Sequence, residues 1–250
     1  MGIGAKHGIF AASAGAVSTF ANQYSLDLDG SNEYAEGAAA LTSLSELTQA
    51  SVSFWVYLND TAAAYLVSQW SASTTNDRVF GLYSAPASNR VDVYWGSNIS
   101  YRHSALAIPD GEWVHVVATY NDATSTAAQE TLVYINGTKH IQNVGFGSPS
   151  SLPSNPGNGF TLGKRGGYSG LEANAKLDEV SVFTKELSQG EITAIYNSGV
   201  PADLTGHAGL VHWWRCGDSD GGTGTTITDT VGSNDLTLTN GPSFVEDVPS

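Results

Sequence analysis

The residues of this 250-residue chain that could do chemistry are few and scattered. Asp27 and Asp29 are spaced by two, so on a strand their carboxylates share a face. With no third carboxylate beside them they mostly repel, which leaves solvated or metal-linked roles. Asp218-Ser219-Asp220-Gly221 is a separate acidic turn that lacks the third carboxylate and the closing Glu of an EF-hand loop, and it reads as an ordinary turn. Cys216, the one cysteine, follows Trp213, Trp214 and Arg215 and reads as a small buried hydrophobe. The six histidines are dispersed; His115 lies on the strand face opposite Val114 and Val116, where packing or hydrogen bonding explains it better than catalysis. No His-Glu-x-x-His helix or phosphate-binding loop occurs. The sequence predicts a chain that is not an enzyme.

Aromatic side chains offer a different chemistry, the stacking of sugar rings on flat platforms beside polar groups. Tyr65, Trp70, Tyr83, Trp95, Tyr101 and Tyr168 are the candidates, with Asn98 and Arg102 as polar company. The tentative carbohydrate-binding set is Trp70, Trp95, Asn98, Tyr101, Arg102 and Tyr168. Most aromatics of a β-sandwich are core, so about two of the candidates are expected to be exposed.

The elements that must position these residues are strands. Alternation and β-branched or aromatic content mark 24–29, 51–57, 65–70, 78–83, 90–95, 113–120, 131–135, 138–143, 160–163 and 177–183. Asn136-Gly137 between two such runs is a hairpin turn, because both residues tolerate positive φ. The Gly-, Pro-, Ser- and Asn-rich stretch 145–159 reads as a long loop. One short helix is predicted near 189–197: Ser188 and Glu191 form a capping box, Ile192, Ile195 and Tyr196 an apolar stripe, and Gly199 with Pro201 ends it. Residues 209–248 hold further short strands around glycine turns.

Composition agrees. Apolar residues are 41% and charged residues 14%, with 28 glycines, which suits an all-β fold with many turns. Acidic residues outnumber basic ones 24 to 10; a net charge of −14 repels phosphate backbones and argues against nucleic acid as a partner. One cysteine allows no intrachain disulfide, and no segment is apolar for long enough to cross a membrane. Residues 1–22 are small and mildly apolar. Their Ala-Ala-Ser-Ala run is similar to a signal-peptidase site, but Lys6 is the only cation and no sustained apolar stretch follows it. They are expected to be an arm lying on a partner or on the protein's own sheet.

Several segments together resemble the laminin-G-like, concanavalin A-like lectin family. They are Ser25-Leu-Asp-Leu-Asp-Gly-Ser-Asn-Glu-Tyr34, Val52-Ser-Phe-Trp-Val56, Gly111-Glu-Trp-Val-His-Val-Val-Ala-Thr-Tyr120 with Val133-Tyr-Ile-Asn-Gly137, and Leu177-Asp-Glu-Val-Ser-Val-Phe183 with Leu187, Ser188, Glu191 and Ile192. The resemblance implies a two-sheet antiparallel β-sandwich, a jelly roll. Gly209-Leu-Val-His-Trp-Trp-Arg215, Gly224-Thr-Thr-Ile-Thr-Asp229 and Leu238-Thr-Asn-Gly-Pro242 look like the strand that usually precedes the Leu-Asp-Phe-Asp-Gly element. Here they follow the helix, so 209–248 are expected to complete the sandwich of residues 23–250 as a permuted terminal region. This tail also resembles tails of marine tailed-phage structural proteins.

The family implies a structural Ca2+ beside the Asp-Gly turn and the Asp of the closing strand, which here are Asp29 with the Gly30 carbonyl, and Asp178. Strand parity supports the second, since Asp178 shares a face with Val180 and Val182; a hydrogen bond to backbone amides or to a basic side chain would serve Asp178 equally. Relatives with this fold that hydrolyse glycosides carry a Glu-x-Asp-x-Glu strand, and this chain has none. The reading that follows is a virion structural protein, a phage capsid decoration or surface appendage component. It is expected to assemble in host cytoplasm as a homo-oligomer such as a trimer, contacting other virion proteins and adhering to surface glycans. The alternative is a secreted carbohydrate-binding module.

Overall fold

The computed structural model describes residues 20–70, 78–85, 90–96, 100–123, 131–140, 151–153 and 158–250. The first nineteen residues of the expected arm, Asn98 and most of the expected 145–159 loop lie outside them.

Two antiparallel sheets face each other as a jelly-roll sandwich. Chain order gives β1 (Ser25–Asp29), β2 (Tyr34–Gly37), β3 (Gln49–Leu58), β4 (Ala64–Trp70), β5 (Arg78–Ala85), β6 (Arg90–Trp95), β7 (Ser100–Ala107) and β8 (Trp113–Asn121). There follow β9 (Thr131–Ile135), β10 (Thr138–Lys139), β11 (Phe160–Leu162), β12 (Asn174–Phe183), helix α1 (Gln189–Tyr196), β13 (Leu210–Trp214), β14 (Thr226–Ile227), β15 (Leu236–Thr239) and β16 (Ser243–Val245). The first sheet runs β10-β9-β8-β3-β12-β1-β16, and the second β14-β15-β2-β11-β4-β5-β6-β7.

The tail supplies strands to both sheets. β15 pairs with β2 and β16 with β1, while β13 pairs with the second half of β12. β1 takes the first half of the same edge, Leu26 opposite Leu177, and β13 continues it, Trp214 opposite Val180. The two strands thus lie end to end along β12. Inner side chains of both sheets fuse into one core, in which Phe160 stacks on Trp214 at 4.4 Å. Asn136 and Gly137 both take positive φ, 48° and 72°, and close the β9–β10 hairpin.

β12 carries a β-bulge. Its register with β3 shifts between Asp178 and Ser181, and Glu179 sits at φ 47°. The extra residue reverses the alternation, so Leu177 and Val180 both enter the core. Asp178 therefore does not share the inward face of Val180 and Val182, as simple parity predicts.

α1 lies on the outer face of the first sheet. Ser188 caps it through the predicted box, accepting from the Glu191 amide while Glu191 accepts from the Ser188 amide. Ile192 and Ile195 bury against Val117, Leu132, Tyr134, Phe183 and Trp213.

Candidate functional site

The outer face of the second sheet is built differently. Cross-strand register sets Tyr65 opposite Tyr83, and Tyr83 opposite Asp92. In the neighbouring row Thr161, Ser68, Gly81 and Tyr94 follow one another across β11, β4, β5 and β6. The rings touch in sequence: Tyr65 meets Tyr83 at 5.0 Å and Trp70 at 5.4 Å, and Trp70 meets Tyr94 at 5.8 Å. Gly81 makes room for them, because a Cβ there would stand 3.0 Å from both the Trp70 and Tyr65 rings. Tyr83 and Tyr94 are half-buried. Burial, together with the Asp92 charge, raises the Tyr83 hydroxyl above its usual range.

A loop after β11 folds over this face and brings two cations with it. It is fixed at both ends: the Gly163 amide donates to Leu66 O, the Ala173 amide to Gly163 O, and the Tyr65 amide to Leu171 O. Ser68 and Thr161, the hydroxyl pair of the outer row, both donate to Lys164 O, at 3.0 and 2.9 Å. Gly166 passes so close to β4 that a Cβ would lie 2.4 Å from Trp70 O. The loop is thus held by backbone bonds rather than by its charged side chains. Those are free to act elsewhere: Lys164 Nζ sits 3.4 Å over the Tyr34 ring, and the Arg165 guanidinium lies between Trp70 at 4.3 Å and Tyr168 at 4.9 Å. Tyr168 is 50% exposed. Neither cation has a carboxylate partner among the described residues, and Arg165 Nε is buried without an acceptor.

Of the sequence-predicted sugar contacts, the structure brings Trp70 and Tyr168 together, bridged by Arg165. Trp95 lies elsewhere; it is 1% exposed and packs in the inter-sheet core on Phe80 and Tyr120. Tyr101 stands opposite Tyr94 and Arg102 opposite Val93 on β7. Sequence reasoning missed Arg165 and Lys164; their pairing with rings depends on a loop fold that no local pattern encodes.

The residues expected to hold Ca2+ do not converge. Asp29 is opposite Asn174, four residues along β12 from Asp178, which is about 13 Å at the rise of a strand. Asp29 accepts from the Ser31 amide, and Asp178 accepts from Asn22 Nδ2 and the Glu179 amide. Among the described residues no group of three His, Cys, Asp or Glu side chains is placed to hold a metal ion. Instead the bulge buries two acids side by side. Glu179 accepts from Trp213 Nε1 at 2.6 Å and from Arg215 at 3.0 Å, and Arg215 also pairs with Asp218. Burial outweighs the Arg215 charge and pushes Glu179 up to about 7. Burial and the Glu179 charge push Asp178 well above the carboxylate range. Arg215 also covers Phe20, which stacks on Trp213.

A family model described as the concanavalin A-like lectin/glucanases superfamily matches residues 20–193, well over half of the chain. The chain belongs to that superfamily. No curated protein sequence matches it. Among solved structures, a Bacteroides ovatus protein named for carbohydrate binding is similar at 18% identity and a TM-score of 0.63, over 91% of this chain and 61% of that one. The chain thus spans under two thirds of that protein's length. The heptameric SAP-like pentraxin of Limulus polyphemus is similar at 15% identity and a TM-score of 0.58, over 90% of this chain and 96% of that one. At these identities the likeness is one of fold. No helix among the described residues is long and apolar enough to cross a membrane.

Proposed function

We propose that the chain binds glycans on the outer face of its second sheet, around Trp70, Arg165 and Tyr168, and that the preferred glycans carry carboxylate or sulfate groups. One observation carries the reading: two rings clamp the Arg165 guanidinium, which has no carboxylate partner among the described residues and whose Nε is buried without an acceptor. A guanidinium fixed in plane is a bidentate receptor for a carboxylate or sulfate, and exposed tyrosine rings stack on sugar faces. On a protein of net charge −14, cations left without carboxylates stand out as places for an anionic group. The superfamily's lectin members agree with this reading. At this face the proposal is binding without turnover.

A screen of neutral, uronic-acid and sulfated oligosaccharides tests it. Acidic oligosaccharides should bind, and Tyr168→Ala should weaken that binding about tenfold, in line with stacking worth ~1–1.5 kcal/mol. Equal binding of neutral and acidic sugars would remove the acidic preference, and no binding of any would remove the reading.

The setting we propose is a virion surface, where a homo-oligomer such as a trimer would sit on capsid or other virion proteins. It is supported by the phage-like tail segments and by a chain that contains one cysteine and so cannot form an intrachain disulfide. Mass spectrometry of native particles decides it: stoichiometric protein with residues 1–22 retained is expected, and a free protein beginning near residue 20 would favour the secreted module.

A further inference from the structure

Away from that face, three segments meet where the tail crosses the turn between β2 and β3. Ser43 belongs to that turn, His212 to β13, and Asp229 to the stretch after β14. Ser43 Oγ lies 2.9 Å from His212 Nε2, and His212 Nδ1 lies 2.5 Å from Asp229 Oδ2. Asp229 also accepts from the amides of Trp213, Val231, Gly232 and Asn234, at 2.9 to 3.3 Å. Burial opposes ionisation of Asp229, but the His212 bond and these amides outweigh it and hold the carboxyl below its usual range. With the Nδ1 proton given to Asp229, Nε2 is the acceptor for the Ser43 hydroxyl. The ring is further fixed by stacking on Trp214, 7° from parallel.

His212 and Asp229 are buried, Ser43 is half-exposed. Ser43 and His212 line a cavity of about 280 Å³, whose walls also include Ala39, Ala40, Leu41, Ser233 and Asn234. Gly232 permits the closure: a Cβ there would lie 2.4 Å from Asp229 Oδ2 and 2.5 Å from His212 Nδ1. Serine, base and buried orienting carboxylate thus stand in the relation of an activated nucleophile, beside a space large enough for a small acyl group.

We propose that Ser43, His212 and Asp229 form a nucleophilic triad that cleaves esters of small acyl groups. Ser43 Oγ adds to the ester carbonyl carbon as His212 Nε2 takes the hydroxyl proton. The tetrahedral adduct collapses with cleavage of the acyl C–O bond, and the alcohol leaves with the proton from His212. Water then attacks the acyl-serine, giving its proton to His212, and the carboxylic acid leaves as that proton returns to Ser43 Oγ. Ser233 offers a hydroxyl donor in the same cavity for the oxyanion. Asp229 is a positioning residue that holds the imidazole and stabilises its charged form. The proposal is independent of glycan binding at the second sheet.

One sample of the full chain is treated with a fluorophosphonate, and a separate untreated sample is assayed on p-nitrophenyl acetate. One equivalent of label on Ser43 is expected, together with hydrolysis that falls at least 100-fold in Ser43→Ala at an unchanged melting temperature. His212→Ala should lose the label as well. Asp229→Asn should lower kcat with KM unchanged, a split that a purely structural tie between turn and tail would not produce. An unlabelled Ser43, with native and Ser43→Ala chains hydrolysing the ester equally, would overturn the triad. Because Ser43 is half-exposed, that comparison stands even where the Asp229 variant fails to fold.

Discussion

The two outer faces of this sandwich use similar residues to opposite ends. On the first sheet three cations are answered from within. Lys176 pairs with Asp247, Lys185 with Glu191, and Arg215 with both Glu179 and Asp218. Trp55 and His115 are covered by Tyr196 of α1, and the hollow of about 360 Å³ beside Trp55 is lined by Tyr57, Trp113, Tyr196 and Ser250. On the second sheet no helix covers the rings, and the cations Lys164 and Arg165 rest on aromatic faces. A surface whose charges are matched internally contributes stability. One whose charges are held in place but left unmatched is prepared for a partner.

Breaking the first face should cost stability and spare binding. Trp213 is 4% exposed, stacks on Phe20 and donates to Glu179. Trp213→Ala should destabilise by about 3–5 kcal/mol in denaturant titration, while the folded fraction keeps its glycan affinity. Breaking the second face should do the reverse. Arg165→Ala should weaken binding of an acidic oligosaccharide by at least tenfold, about 1.4 kcal/mol, and Arg165→Lys should not restore it, with no change in melting temperature. A destabilised Arg165→Ala chain that binds normally would erase the contrast.

Acidity sharpens it further. Glu179, ordinarily at 4.5 and here about 7, holds a proton in the folded chain that the unfolded chain releases. Its contribution therefore grows as pH falls from 7 toward 4.5 and is absent above that window. His115 has the opposite sign. Burial lowers it to about 3 from 6.5, so the unfolded chain takes the proton first and stability drops as pH falls below 6.5. Glu179→Gln removes only the first effect. Relative to the native chain its melting temperature should fall by several degrees between pH 8 and pH 5; a constant difference would show that Glu179 titrates normally. The smallest effect expected is that of EDTA. Because Asp29 and Asp178 do not converge, chelation should leave the melting temperature within a degree, and a larger drop would establish a metal the described side chains do not reveal.

Much of the fold was readable because its signals are local. The alternation of Val114, Val116 and Ala118 marked β8 and placed His115 outside the core, where it bonds Ser53. The Ser188–Glu191 box located α1. β2, four residues long, and β7, which reads Ser-Tyr-Arg-His-Ser-Ala-Leu-Ala, were not anticipated, since neither carries a clear apolar alternation. The bulge at Glu179 defeated the parity argument for Asp178, because one inserted residue exchanges the two faces. Trp95 and Trp70 look alike in sequence and both are buried; only register separates the ring between the sheets from the one on the outer face of the second sheet, beneath the loop after β11. The sites themselves were hidden by distance along the chain. Arg165 reaches Trp70 from 95 positions further along the chain, and Ser43 reaches Asp229 through His212 from the opposite end of the sequence.

Hydrogen exchange of the full chain with and without a galacturonic acid oligosaccharide tests the central contrast most directly. The account predicts slowed exchange at 64–70 and 163–173, with 110–113 and 189–199 unchanged. Protection at 110–113 and 189–199 instead would place the ligand in the hollow of the first sheet and contradict it.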